Sequence, residues 1–319
     1  MFELDKTYLN KALGTFSIKD IEAITGIKSH TLRIWEQRYG IVAPERSGTN
    51  IRHYSHGQLK TLLNISVLND NGYKISEIAK MSKEAIAEKV HELAKKEGAY
   101  SLHVRSCIAA MMSFDEIGFN QLLNTYILQF GVEETFLQIV FPFLGEVGLL
   151  WQVGTILPSH EHFVSNIIIQ KLYVAIDGQL GKTTSPRLSF LLFLPESEKH
   201  SLGLLFANYL LRARGHEVLY LGQEVPLTDL FDAFKEDNPN YIVTMMTAAQ
   251  PDIDKQGFVD FLANKWPQSQ IVLTGTQFNQ GELTLPVNVK KLASLSDFID
   301  LLNQIKTTKI VTDRQKDSA

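Results

Sequence analysis

The chain has 319 residues, 45% of them hydrophobic and 21% charged, and a formal net charge of −4. This composition excludes collagenous and low-complexity chains and suits two or three ordinary globular domains. No uninterrupted apolar run approaches the ~18–20 residues of a membrane span. The N-terminus, MFELDKTYLN, lacks the basic-then-apolar layout of a secretion signal, and Cys107 stands alone, so an intrachain disulfide is excluded. A cytoplasmic protein with no membrane association is the expectation, with Cys107 as a small core residue.

The charge is unevenly distributed. Residues 1–60 carry nine Lys/Arg against six Asp/Glu, a balance of +3, and the remainder stands at −7. Within 28–60, Lys28, Arg33, Arg38, Arg46, Arg52 and Lys60 are opposed only by Glu36 and Glu45. A polyanion-facing module on an acidic body has this pattern, as does a solvated helix face.

Ser17 is placed to cap a first helix whose inner face carries Ile18, Ile21 and Ile24, and Gly26 ends it in a tight turn. Ile27 points inward, and Ser29 is expected to cap a second helix, Thr31 to Arg38, stopped by Tyr39-Gly40. This is a helix-turn-helix, which presents the start of its second helix to the major groove of double-stranded DNA. Ser29, His30, Thr31 and Arg33 hold that leading edge, with Arg38 and Tyr39 at the far end. Residues 44–54 read as a basic two-stranded wing in which Arg46, Arg52 and Tyr54 suit phosphate contacts, and Trp35 with Leu32 reads as core. The ordered run T-L-R-I-W-E-Q-R-Y-G-I-V-A-P-E-R, then R-H-Y-S, resembles the recognition helix and wing of MerR-family regulators over residues 16–84. Ile51-Arg52-His53-Tyr54 stands where that family has Gly-Arg-Arg-Tyr, one arginine fewer. A homodimer or higher homo-oligomer on a pseudo-palindromic operator is the expected working form.

From 77 to 184 apolar residues recur at helical spacing, which predicts a bundle of four or five helices after a charged hinge at Lys95-Lys96-Glu97-Gly98. Pro158-Ser159 marks the start of a helix whose first turn carries Glu161 and His162, separated from Trp151 by nine residues. By themselves a Trp is most often core and a Glu-His pair most often helix surface.

From Pro186 onward strand-like and helix-like runs alternate. Strands are predicted at 187–194, 217–222, 241–247, 270–275 and 289–293, and helices at 202–214, 227–237, 253–264 and 295–306. Residues 277–288 are too interrupted by Gly and Pro to assign, and 307–319 read as a disordered tail. This is a doubly wound α/β domain, whose ligand lies at the carboxyl edge of the sheet. The loop after the first of these strands holds Glu198, His200 and Gly203 in the spacing E-x-H-x-x-G.

That spacing and the upstream W-x9-E-H together resemble the cobalamin-binding half of light- and vitamin-sensing MerR-type regulators. The resemblance implies that Trp151, Glu161 and His162 cover the upper face of a corrin, and that His200 ligates cobalt from below with Glu198 holding its other ring nitrogen. It further implies that Gly203, Thr247 and Gly275 flank the nucleotide tail, with Thr244 also at the strand end. Thr276 stands in place of a second glycine, and Gln152 stands where light-sensing members carry a histidine. An amide oxygen is a poorer donor to cobalt than imidazole, which weakens the expected light response.

The fold class that follows is multidomain α + α/β: a winged helix-turn-helix over 1–84, a helical cobalamin-capping bundle over 85–184, and a doubly wound Rossmann-like cobalamin-binding domain over 185–306. The function that follows is a non-enzymatic transcription regulator sensing adenosylcobalamin or methylcobalamin. One alternative is a regulator whose corrin site has decayed and which answers to a protein partner. Another is a corrinoid-carrying methyltransferase subunit, which has no use for the N-terminal module.

Overall fold

The structure is a computed structural model that describes residues 15–94, 100–185, 187–234, 238–248 and 253–316. The expected hinge at 95–98 lies outside them. The chain divides into two compact units, residues 1–168 and 169–319.

In the first unit, β1 (Thr15–Phe16), β2 (Glu45–Arg46) and β3 (Arg52–Ser55) form a small antiparallel sheet in the order β1-β3-β2. The wing thus gains a third strand, because Thr15 and Phe16 pair with Ser55 and Tyr54. Helix α1 (Ile18–Thr25) opens on a capping box: the Ser17 hydroxyl accepts the Asp20 N–H, and the Asp20 carboxylate accepts the Ser17 N–H. Such a cap contributes about 1 kcal/mol. Gly26 follows in the left-handed region at φ 74°, which a residue with a Cβ adopts only under strain. The Thr25 hydroxyl then locks the turn, donating to the Ile21 carbonyl and accepting the Ile27 N–H.

Helix α2 (Ser29–Tyr39) buries Leu32 and Trp35. A second capping box, Ser55 with Gln58, opens α3 (His56–Asp70), which is followed by α4 (Ile75–Ile78) and α5 (Lys83–Ala94). Ile21, Leu32, Trp35, Tyr54, Leu59, Leu62 and Leu68 are among the buried side chains of this module.

The bundle helices are α6 (Tyr100–Met112), α7 (Glu116–Thr135), α8 (Phe141–Gln152) and α9 (Pro158–Asp177), with a π-helical stretch at Phe136–Val140 between α7 and α8. By length and composition alone, Glu116–Gln152 could cross a membrane, with a mean hydropathy of 1.3. It is interrupted at Gly131 (φ 79°, ψ 165°), and it buries Phe119, Leu123, Phe136, Ile139 and Phe143 within the protein. Cys107 is buried as expected, and burial pushes its thiol up to about 12.

In the second unit, β4 (Ser189–Pro195), β5 (Glu217–Val225), β6 (Tyr241–Met245), β7 (Gln270–Thr274) and β8 (Val289–Lys291) form a parallel sheet in the order β5-β4-β6-β7-β8. Helix α10 (Leu202–Ala213) lies against β4, β5 and β6, with Leu204, Leu205, Leu210 and Leu211 buried. Leu191, Phe193, Ile242, Ile271 and Leu273 share a core with Leu230 of α11 (Leu227–Phe234) and with Val259 and Leu262 of α12 (Lys255–Lys265). Trp266 and Phe278 close that core, Phe278 from α13 (Thr276–Asn279) in the stretch that sequence left unassigned.

All five expected strands are present, as are the four helices. The second strand runs three residues further than expected, and residues 235–237 of the expected second helix lie outside the described segments. One expectation fails. Helix α14 runs Leu295–Lys316, so the tail expected to lack structure from 307 is helical to 316.

Strand order places the ligand edge. From β4 the chain steps to β5 on one side, then crosses to β6 on the other, so the order reverses between β4 and β6. The crevice beyond the carboxyl ends of two such strands is where open α/β sheets bind ligands.

Candidate functional site

At the DNA-reading face, His30, Arg33, Arg38 and Arg46 are exposed and Thr31 and Tyr39 are half-buried. The Arg38 guanidinium lies 5.4 Å over the Tyr39 ring, and Arg46 donates to Asn50 Oδ1 at 2.7 Å. Three expectations change here. Ser29 does not cap α2 but is its first residue, and both its amide and its hydroxyl donate to Glu22 Oε2, at 3.0 and 2.6 Å. Those bonds, with Lys28 at 3.2 Å, hold the Glu22 carboxyl down at about 2 and pin the start of α2 to α1.

Tyr54 is 0% exposed, so it does not reach a phosphate; its hydroxyl donates to Glu36 Oε1. Burial, then the bond to Glu36, pushes the Tyr54 phenol well above its usual range. Arg52 is half-buried, and its Nε donates to Glu36 Oε2 at 2.9 Å. Glu36 therefore ties the wing to the recognition helix, a role sequence reading missed because its partners lie 16 and 18 positions away.

This arrangement separates two kinds of arginine. Arg33→Ala and Arg46→Ala are expected to weaken DNA binding on all sequences, each lowering the salt slope by about one unit, with no change in stability. Arg52→Ala instead leaves Glu36 without its cation, and the module loses roughly 1–3 kcal/mol. Thermal unfolding beside salt-titrated DNA binding checks this; an Arg52→Ala protein of unchanged stability contradicts it.

In the first unit, Trp151 sits at the end of α8 and is 57% exposed, flanked by exposed Leu149 and Val153 and followed by exposed Gln152. In the first turn of α9, His162 is exposed and its Nδ1 lies 3.0 Å from Glu161 Oε2, while Glu161 Oε1 accepts the Ser165 hydroxyl at 2.6 Å. His160 is different: it is buried, stacks on Phe114 at 4.4 Å, and its Nδ1 accepts the Leu157 N–H.

In the second unit, the crevice between β4 and β6 holds Glu198 and His200. Glu198 is 0% exposed, yet every oxygen is used. Oε1 accepts the His200 amide at 2.8 Å and the His200 Nδ1–H at 2.7 Å; Oε2 accepts the Thr247 and Ala248 amides at 2.5 and 2.9 Å. Burial pushes the carboxyl up, but these bonds outweigh it and leave Glu198 below its ordinary value, an ionised acceptor. A carboxylate only accepts, so in the neutral imidazole of His200 the proton sits on Nδ1 and Nε2 keeps its lone pair. The His200 side chain is 63% exposed.

Around this pair, the buried Thr244 hydroxyl has no partner among the described residues. Gly203 lies within α10, and a Cβ there would meet the thioether end of Met245, so the space expected beside it is filled by a flexible side chain. Gly275 has φ 103°, and a Cβ would collide with the Met246 backbone. The Thr276 hydroxyl donates to the Thr247 carbonyl at 2.8 Å, tying the two loops together where a second glycine was expected.

These features fit a metal macrocycle: one oriented imidazole with a free lone pair, an unpaired hydroxyl at a strand end, and a methionine that can swing aside. Residues 16–85 match the MerR HTH family regulatory protein, and residues 104–176 match the B12 binding domain. The HTH-type transcriptional repressor CarH of Myxococcus xanthus is 27% identical over 268 residues, covering 82% of this chain and 88% of that protein. The HTH-type transcriptional repressor CarA of the same organism is 28% identical over 239 residues, covering 74% and 78%. Among solved structures, a cobalamin-binding protein from Desulfitobacterium hafniense DCB-2 is similar over 63% of this chain and 97% of its own, at 17% identity and a TM-score of 0.30. The methanol:cobalamin methyltransferase complex MtaBC from Methanosarcina barkeri is similar over 75% and 91%, at 15% identity and a TM-score of 0.34. The chain is a MerR-type helix-turn-helix regulator that carries a cobalamin-binding domain.

Proposed function

We propose that this protein is a cytoplasmic, non-enzymatic transcription regulator that binds a pseudo-palindromic operator as a homodimer or higher oligomer and senses adenosylcobalamin or methylcobalamin. Residues 1–84 read DNA, 85–184 cap the cofactor and 185–306 hold it. His30, Thr31, Arg33, Arg38 and Arg46 face the DNA. His200 would hold the cobalt through its imidazole with Glu198 fixing its tautomer, and Thr247, Gly203 and Gly275 would flank the nucleotide tail. Trp151, Glu161 and His162 would cover the cofactor. When bound, the cofactor supplies a light-sensitive cobalt–carbon bond.

The observation that carries this reading is the Glu198–His200 pair at the topological switch point, with the carboxylate buried and the imidazole presenting Nε2. The exposed run of Leu149, Trp151 and Val153 favours a second reading, in which that surface serves a protein partner. Visible spectra of the protein with adenosylcobalamin, in the dark and after illumination, separate the two. A bound-cofactor spectrum with operator binding that changes on its addition supports cobalamin sensing. Intact operator binding with no spectral change supports the partner.

The light response is expected to be weak or reversible, since Gln152 replaces the histidine and His160 is buried against Phe114. A long-lived photoproduct that releases DNA irreversibly contradicts that expectation.

A further inference from the structure

A buried imidazole stands outside both the DNA-reading face and the cobalamin site. His103 of α6 is 2% exposed, and neither ring nitrogen has a partner among the described residues. Its ring rests on two aromatic rings of α7, with centroids 4.3 Å from Tyr126 and 5.6 Å from Phe130. Burial pulls its pKa below the ordinary value, so the imidazole is neutral and carries one N–H donor and one lone pair. Burying such a ring without partners is unfavourable, and an orphaned polar group in a folded protein calls for a reason.

The surroundings of His103 supply one. It lines a cleft of about 740 Å³ in the first unit, within the ~300–1,000 Å³ of small-molecule sites. The cleft lies where α3, α5 and α7 pack around α6, and α3 falls in the stretch that matches MerR regulators, α7 in the stretch that matches the B12 binding domain. Val90, Ala110 and Tyr126 give it buried apolar walls. Gln121, Thr125 and Gln129, four residues apart along one face of α7, edge it with exposed polar groups. The charged groups on its lining, Lys60 of α3 and Asp115 at the cap of α7, are exposed and opposite in sign.

We propose that this cleft is a second effector site, which takes a small uncharged aromatic molecule whose hydroxyl or ring N–H pairs with His103. The apolar walls and the Tyr126 ring suit a flat apolar body, and charges of opposite sign on the lining leave no net charge to attract an ion. A polar group on that body supplies the partner that the imidazole lacks. Because the lining comes from α3 on one side and from α6 and α7 on the other, a molecule seated there bridges the DNA-binding module and the bundle. It changes operator affinity to the extent that it prefers one arrangement of the two, and operator DNA changes its affinity by the same factor. None of the lining residues is among those assigned to DNA or to the corrin, so this site stands or falls apart from the cobalamin reading.

The test is equilibrium dialysis of the full chain against 2-naphthol, with naphthalene as the probe that lacks the hydroxyl, for wild type, His103→Phe and Ala109→Trp. His103→Phe keeps a ring against Tyr126 and Phe130 but removes both nitrogens, and thermal unfolding should find it at least as stable as wild type. Ala109 is half-buried on the cleft lining, so Ala109→Trp fills the volume. Wild type is expected to bind 2-naphthol saturably, His103→Phe about 10-fold more weakly, and Ala109→Trp not at all. Naphthalene should bind wild type and His103→Phe alike, a difference that a merely structural histidine would not produce. Saturating 2-naphthol should change the operator affinity of the wild type by about 5-fold or more, and leave that of Ala109→Trp unchanged. Equal 2-naphthol affinity in wild type and His103→Phe overturns the site, and this comparison decides by itself if Ala109→Trp fails to fold. Failure of the wild type to bind overturns it too, leaving water as the partner of the imidazole. A saturated cleft with unchanged operator affinity overturns its role as an effector site.

Discussion

Replacing Glu198 with Ala is expected to free the 246–248 loop and to remove the orientation of His200 in one step. The substitution strips the acceptor from the Thr247 and Ala248 amides, the His200 amide and the His200 ring N–H. A buried donor left without an acceptor costs about 1–3 kcal/mol, so a local loss of about 3 kcal/mol is a conservative expectation. Glu198→Gln keeps the shape but turns an amide NH2 toward groups that are all donors, and it recovers only part of that loss. Amide hydrogen exchange at Thr247 and Ala248 reads the effect without assuming that the whole chain unfolds in one step. Native-like protection of both amides in Glu198→Ala would remove the argument.

The pH dependence has a fixed sign. Glu198 lies below its ordinary carboxylate value, so its contribution is complete above about 4.5 and is lost as the pH falls through the lower folded value. Loop protection should therefore fall in acid in the wild type, and Glu198→Ala should show no such step.

Local signals were legible in the sequence, and long-range pairings were not. Ser17 and Asp20 announce a capping box because the reciprocal bonds span three residues. Gly26 and Gly40 mark helix ends because each takes a positive φ. The five strands stood out because buried parallel strands are short apolar runs punctuated by turn residues. Glu198 and His200 were found through their spacing and their position after a strand.

Glu36 left no such mark. It sits on the recognition helix among basic residues, and only the fold brings Arg52 and Tyr54 to it. Reading Arg52 and Tyr54 as phosphate contacts followed from residue type; burial overrode it for Tyr54, and the Nε of the half-buried Arg52 is engaged by Glu36. Ser29 failed as a cap for the same reason, since Glu22 claims its hydroxyl from the preceding helix. The amides of Thr247 and Ala248 were invisible as well: a backbone N–H has no residue signature, and these lie 49 and 50 positions from Glu198. The tail was read as unstructured from its polarity, which does not exclude the helix that runs to Lys316.

His200→Ala carries the largest expected functional effect. The fold should survive it, because the imidazole is 63% exposed and Glu198 keeps the Thr247, Ala248 and residue-200 amides as donors. The site loses its only proposed protein ligand to cobalt. Visible absorbance should show bound cobalamin shifted toward a form without a lower nitrogen ligand, and affinity should fall by more than the roughly 10–100-fold typical of losing an outer-shell partner. Added imidazole should restore the wild-type spectrum, since it can occupy the vacated volume and donate its own N–H to Glu198 Oε1. Operator binding measured without cobalamin should be unchanged, because His200 lies in the second compact unit and the DNA-reading residues lie in the first. A purely structural histidine would give the reverse pattern, with lost stability and an unaltered spectrum. An unaltered spectrum with wild-type affinity in His200→Ala rejects the ligand assignment, and with it the proposal that Glu198 is buried in order to orient a metal-binding imidazole.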